Sequence, residues 1–388
     1  MSKGNFPIDK FQKIQTPFYY YDMELLDKTL TTVKEETAKY GFTEHYAIKA
    51  NANPILLKHI ASYGFGADCV SGGEVKAALE AGFDPAKIVF AGVGKADWEI
   101  ETALDGGIFC FNVESVPEAE IINAIAGVKG KKACVEIRVN PNVDAHTHAK
   151  ITTGLSENKF GINLSQLPMV IGKIESLENL ELIGLHFHIG SQITDMHVFE
   201  ALCTKVNEIV EELASAGRTF SNLNFGGGLG IDYQDPDKHS IPQFKEYFKV
   251  FNDNVKRSAN VKLHFELGRA IVAQCGTLIS KVLYIKEGEV KKFAILDAGF
   301  TELIRPAMYD AYHSIENITS NDAEDVYDVV GPICESSDVF AKERKLNKAK
   351  RGDLFALRSA GAYGEVMASQ YNLRTLPKAY FSNNQNSI

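Results

Sequence analysis

Eight short apolar runs separated by segments of helical spacing constrain the fold of this chain more than any other feature. The runs lie at 45–49, 67–70, 88–91, 109–113, 133–139, 182–188, 223–226 and 262–266. Each is strand-length and ends in polar or turn-forming residues. Between them, 73–81, 117–125 and 199–216 read as helices, the last with Leu202, Val206, Ile209, Val210 and Leu213 on one stripe. A strand, a crossover helix and a second strand make parallel neighbours. Eight such repeats over about 250 residues predict a closed (β/α)8 barrel of the TIM type; an open doubly wound sheet is the alternative, and eight repeats favour closure.

The pattern differs on either side. Phe18-Tyr19-Tyr20-Tyr21 reads as one strand, and Asp22 as the N-cap of a helix ending near Tyr40-Gly41. After residue 266, strand-like runs at 278–285, 292–296, 327–330 and 353–357 lack long helices between them. They predict a mainly antiparallel C-terminal β domain. The expected division is a barrel over 22–266 and a β domain over 267–388, joined by the strand within residues 1–21.

Composition narrows the function. A net charge of −9 without a basic run excludes nucleic acid as the expected partner. No apolar stretch reaches the roughly 20 residues of a membrane span, and the N-terminus lacks a signal-peptide core. Cys69, Cys110, Cys134, Cys203 and Cys275 read as free thiols of a reducing compartment, so a cytoplasmic location is expected; Cys334 stands apart beside Glu335. The polar stretch 146–159 is expected to be mobile and the tail 382–388 disordered.

Active sites of such barrels lie at the C-terminal strand ends. Those ends carry Lys49, Ser71-Gly72-Gly73-Glu74, Asn112, Arg138 with Asn140, His186, His188, Gly190-Ser191, Gly226-Gly227-Gly228, Glu266 and Arg269. Lys49 is either a surface amine or an amine placed to form a Schiff base. The glycines are either a flexible turn or a phosphate cradle, and phosphate sites recur after strands seven and eight. His186 and His188 share a strand face, yet no carboxylate or cysteine set completes a metal site, so stacking on a flat cofactor is expected and a metal is not. Glu266 reads as a surface charge, a partner of Arg269, or a partner for a protonated pyridine nitrogen. The β domain adds Arg305 with Tyr309, Cys334 with Glu335, and Tyr363 between small residues.

Tyr46-Ala47-Ile48-Lys49-Ala50-Asn51, His186-Phe187-His188-Ile189-Gly190-Ser191, the 226–228 glycines, Glu266-Leu267-Gly268-Arg269, Arg305 to Tyr309, Cys334-Glu335-Ser336 and Gly361-Ala362-Tyr363-Gly364 follow one another in an order that resembles the diaminopimelate decarboxylases. These belong to the alanine-racemase-like class of pyridoxal-phosphate enzymes, and the resemblance spans nearly the whole chain. It implies pyridoxal 5'-phosphate as cofactor, a homodimer with active sites shared across its interface, and conversion of meso-2,6-diaminopimelate to L-lysine and CO2. By resemblance, Lys49 holds the cofactor and His188 stacks on its ring. Ser191, Gly226, Gly227, Gly228 and Tyr363 contact its phosphate, Glu266 meets the pyridine nitrogen, and Gly268 lines the same site. Arg269, Arg305, Tyr309 and Glu335 grip the far end of the substrate, and Cys334 donates a proton. Leu267 departs from the family, which usually has proline there.

Alternatives remain open on the residues alone. An ornithine-, arginine- or carboxynorspermidine-type decarboxylase has no use for two arginines at a distal pocket. A racemase of this class needs an acid–base group on each ring face, for which Cys334 and Lys49 qualify. A non-catalytic cofactor-binding protein needs none of the substrate-end residues.

Overall fold

The computed structural model describes residue 4 and residues 6–143 and 159–383. The segment 146–159 lies outside them except for Lys159, as do residues 384–388 of the tail. The chain forms two compact units. One comprises Leu30–Gly230 and Gln243–Gly268, the other Met1–Thr29, Ile231–Pro242 and Arg269–Ile388.

The first unit contains the predicted barrel. Its strands are Thr43–Ala47, Gly66–Cys69, Ile88–Phe90, Cys110–Val113, Ala133–Asn140, Leu180–Phe187, Asn222–Asn224 and Lys262–Phe265. Each pairs in parallel with the next, and the eighth returns to the first through His264 and Thr43, which closes the sheet. Because helices cover the sheet, runs such as Gly66–Cys69 and Ile88–Phe90 are buried along their whole length. Side-chain caps start the helices. Ser71 Oγ accepts from the Glu74 N–H at 3.1 Å, and Ser115 Oγ from the Glu118 N–H at 3.3 Å. Helix Met196–Ser215 buries Val198, Phe199, Leu202, Cys203, Val206, Ile209 and Leu213, whereas Val210 is only half-buried. The inward stripe therefore sits slightly round from the predicted one, with Cys203 at its edge. Phe225, Phe251 and Phe265 pack with ring centres 4.9 and 4.8 Å apart, locking helix Phe244–Asn254 onto the last two strands.

The second unit is built on an eight-stranded, mainly antiparallel sheet. The predicted strands appear as Gly276–Glu287, Lys292–Leu296, Glu324–Val330 and Leu354–Leu357. Phe18–Tyr21 pairs antiparallel with Gly276–Glu287 and parallel with Lys378–Phe381. Asp22 caps the following helix, accepting from the Leu25 N–H at 3.1 Å. Three strands escape the sequence reading: Ile315–Asn317, Val339–Asn347 and Lys378–Phe381. Val339–Asn347 hides because Lys342, Glu343, Arg344 and Lys345 interrupt its alternation and its pairing with Glu324–Val330 shifts register. Ile315–Asn317 is only three residues long, and Lys378–Phe381 opens on an exposed lysine with no long apolar run. The core gathers Phe11, Phe18, Tyr20, Ile279, Ile318, Leu354 and Ala356.

Candidate active site

Lys49 lies two residues beyond the first barrel strand. The strand ends at Ala47, and Ile48–Ala50 forms a single 3-10 turn rather than the strand end expected from sequence. Gly268 backs that turn: a Cβ there would lie 2.9 Å from the Ala50 side chain and 3.1 Å from that of Ala47. The Lys49 amine stands 2.9 Å from the carboxylate of buried Asp68, at the end of the second strand, while the lysine side chain keeps 37% exposure. Burial pushes the Asp68 carboxyl up against the pull of Lys49.

Glu266 follows the eighth strand and is 5% exposed. Asn112 Nδ2 donates to its Oε1 at 3.1 Å and Asn224 Nδ2 to the same oxygen at 2.7 Å, while His186 Nε2 meets Oε2 at 3.0 Å. Burial alone would raise Glu266. His186, with the charge of Lys49, outweighs burial and holds the carboxyl well below its ordinary range. Glu266 is thus a fixed anion at neutral pH, as a partner for a protonated ring nitrogen must be.

His188 lies just past the sixth strand, which ends at Phe187. The Gly227 N–H points to its Nδ1 at 3.3 Å, which makes Nδ1 the acceptor and leaves the proton on Nε2. Burial, Arg138 and Lys49 push the imidazole well below its ordinary range, so it is neutral. The 226–228 loop admits only glycine. A Cβ on Gly226 would fall 2.4 Å from the Phe187 oxygen, and one on Gly227 2.2 Å from the Glu266 oxygen. Gly228, at φ 115°, also crowds the Gly190 oxygen. The Ile193 N–H donates to the Gly228 oxygen at 2.9 Å, which ties the Ser191 loop to the glycine loop. Asn224 joins the parts: besides holding Glu266, its Oδ1 accepts from the Gly226 N–H at 2.9 Å. An amine, a neutral imidazole, an ionised carboxylate and a glycine cradle around one barrel mouth fit pyridoxal 5'-phosphate.

The second unit holds its own cluster. Arg269 Nη1 donates to the Tyr233 hydroxyl at 2.7 Å and its guanidinium lies 5.0 Å from the Tyr363 ring. The Arg305 guanidinium lies 4.9 Å from the Tyr233 ring, and its Nη1 meets His313 Nε2 at 2.8 Å. Burial works against the Arg269 charge, but Tyr233, Tyr363 and Tyr309 outweigh it and raise Arg269 above its ordinary value. Burial and the charge of Arg269 lower Arg305. Cys334 and Glu335 make none of these contacts among the described residues. They sit on an exposed loop where the Cys334 N–H donates to Asn372 Oδ1 at 3.4 Å and the Tyr371 hydroxyl donates to Glu335 at 2.8 Å.

Residues 25–273 match the pyridoxal binding domain of the pyridoxal-dependent decarboxylases. A diaminopimelate decarboxylase of Bacteroides thetaiotaomicron is 61% identical over 381 residues, covering 98% of this chain and 99% of that protein. The chain belongs to the diaminopimelate decarboxylase family. The diaminopimelate decarboxylase of Helicobacter pylori, crystallised with L-lysine, superposes with a TM-score of 0.90 at 40% identity, covering 96% of this chain and 93% of that one. The diaminopimelate decarboxylase of M. jannaschii in complex with L-lysine gives a TM-score of 0.90 at 37% identity, covering 98% of this chain and 91% of that one.

For a family member, the sequence reading placed most of these residues but passed over four: Asp68, Asn224, Tyr233 and His313. Asp68 and Asn224 lie inside the runs 67–70 and 223–226, which extend past them to Val70 and Gly226, whereas the strands themselves stop at Cys69 and Asn224, so reading only the run ends passed over both. Tyr233 and His313 lie in loops with no local pattern. Leu267, at the position where the family usually has proline, uses the N–H that proline lacks: it donates to buried Glu44 at 2.6 Å.

Proposed function

We propose that the chain removes CO2 from meso-2,6-diaminopimelate to leave L-lysine, with pyridoxal 5'-phosphate as cofactor. The observation that carries the substrate choice is Arg305. It is 5% exposed, its described polar partner is the neutral His313, and among the described residues no carboxylate lies within ion-pair distance of it. A guanidinium kept in such surroundings suits an anion brought by the ligand. The far end of diaminopimelate carries a carboxylate and an amine, whereas ornithine and arginine offer no carboxylate there.

When bound, pyridoxal phosphate supplies an electron sink for the pair left behind by the departing carboxylate. The remaining work falls to the chain. Lys49 would hold the cofactor through its amine, with the Asp68 carboxylate 2.9 Å away to pair with that amine whenever it is free and charged. His188 presents a neutral ring face, and Glu266 keeps the pyridine nitrogen protonated. Ser191, the 226–228 loop and Tyr363 take the phosphate, and Gly268 supports the Lys49 turn. Arg269, Arg305 and Tyr309 fix the distal end. Cys334 delivers the proton and Glu335 meets the distal amine, both reaching the barrel of a second copy in a homodimer. In this reading the barrel expected over 22–266 carries the cofactor groups other than Tyr363, the β domain expected over 267–388 carries Tyr363 and the substrate-end groups, and the enzyme is cytoplasmic.

The test is a product assay with meso-diaminopimelate, ornithine, arginine and carboxynorspermidine offered in parallel. L-lysine and CO2 formed from diaminopimelate at the highest kcat/KM is the expected result. A higher kcat/KM on any of the other three refutes the assignment.

A further inference from the structure

We infer that His313 and Tyr233 are positioning residues that aim the Arg305 guanidinium at the substrate's distal carboxylate, an inference that rests on the reading of Arg305 above. The imidazole of His313 is 1% exposed. Its Nδ1 lies 2.8 Å from the Arg358 carbonyl oxygen. A carbonyl only accepts, so Nδ1 carries the proton and Nε2 is left to accept from Arg305 at 2.8 Å. Burial, then the Arg305 charge, push His313 down to about 3, so this tautomer persists at neutral pH. Arg358 is itself fixed by Asp237 and Glu316, each at 2.6 Å. A rigid line thus runs from two carboxylates through a backbone carbonyl and a neutral imidazole to Arg305.

Tyr233 closes the arrangement from a different segment. Its ring lies under Arg305, its hydroxyl accepts from Arg269, and the His313 ring meets it edge-on with centres 5.3 Å apart at 80°. Arg269, Arg305, Tyr233 and His313 are each at least nine-tenths buried. Both holders orient the cation without neutralising it. An acidic partner at either position would cancel the charge that the ligand needs, and a flexible one would let the guanidinium fork lose its angle.

The experiment measures direct binding to the cofactor-loaded enzyme by calorimetry. L-lysine keeps the distal carboxylate of the substrate, and 1,5-diaminopentane is the same molecule without it. The wild type should bind L-lysine more tightly. His313→Leu should weaken L-lysine by about tenfold while changing 1,5-diaminopentane less than twofold, the size of one lost contact to a charged group. His313→Gln, whose amide oxygen again accepts from Arg305, should restore most of the loss. Tyr233→Leu removes the ring that lies against Arg305, and should fall between. With meso-diaminopimelate, KM should rise more than kcat falls. An unchanged L-lysine-to-diamine ratio in His313→Leu, or equal weakening of both ligands, overturns the inference. Should His313→Leu fail to fold, Tyr233→Leu decides by the same ratio. A wild type that does not distinguish the two ligands defeats the Arg305 reading first, and the positioning role with it.

Discussion

Replacing Arg305 by alanine separates a substrate contact from a structural one. The guanidinium is 5% exposed, bonded to His313 at 2.8 Å and 4.9 Å from the Tyr233 ring. A charge-assisted contact to a substrate carboxylate contributes about 1.5–3 kcal/mol, so its loss lowers kcat/KM roughly 10- to 150-fold. The same substitution leaves His313 Nε2 buried without a donor, at a cost of about 1–3 kcal/mol in stability. In a domain of roughly 150–250 residues that is a Tm drop of about 2–4 °C per kcal/mol. The two effects part in the assay. With cofactor saturating and temperature held below the transition, kcat/KM is measured on meso-diaminopimelate and on L-ornithine, which has no distal carboxylate. Diaminopimelate should suffer the full loss and ornithine little, because only the first uses the charge. Arg305→Lys should recover part of it, since charge returns without the two-pronged geometry. Equal losses on both substrates refute a distal-carboxylate role for Arg305.

Other consequences are open to direct measurement. Borohydride reduction of the loaded enzyme should attach the cofactor at Lys49, and Lys49→Ala should abolish the attachment; labelling of another lysine removes Lys49 from its role. Lys49→Ala and Cys334→Ala should each be nearly inactive, yet refolded together in equal amounts they should regain roughly a quarter of wild-type activity, because about half of randomly paired dimers are mixed and each has one intact site. Mixed dimers that form, shown by two tags, and stay inactive put both residues on one chain's site. Leu267→Pro should destabilise by about 1–3 kcal/mol by taking the donor from Glu44. The loss should be smaller in a Glu44→Leu background, and strict additivity speaks against the bond. Burial, then the charge of Glu266, raise Glu136 from its ordinary 4.5 to about 8. Its stabilising contribution is therefore complete below about 4.5 and lost as pH rises through 8, at about 1.4 kcal/mol per unit. Glu136→Gln should flatten the Tm profile across that window, and an unchanged slope excludes Glu136 as its source.

Local pattern in the chain was enough for the barrel and for most of its strand ends. Short apolar runs, the turn residues after them and the capping serines act within a few positions, so Lys49, His188, the 226–228 glycines and Glu266 could be read as candidates directly. The strand Val339–Asn347 resisted because its charged outer face broke that period. Closure of the sheet decided the rest. Asn112, His186, Asn224 and Glu266 meet only because strands up to 154 positions apart end at one mouth. Alternation says which way a side chain points but not which partner it finds there. The charge state of Glu266 was equally beyond sequence, since burial pushes it one way and His186 the other, and only their distance settles the balance. Arg305 was visible as a residue, yet its placement depends on Tyr233 and His313, which no local period marks and which only the tertiary fold brings against it.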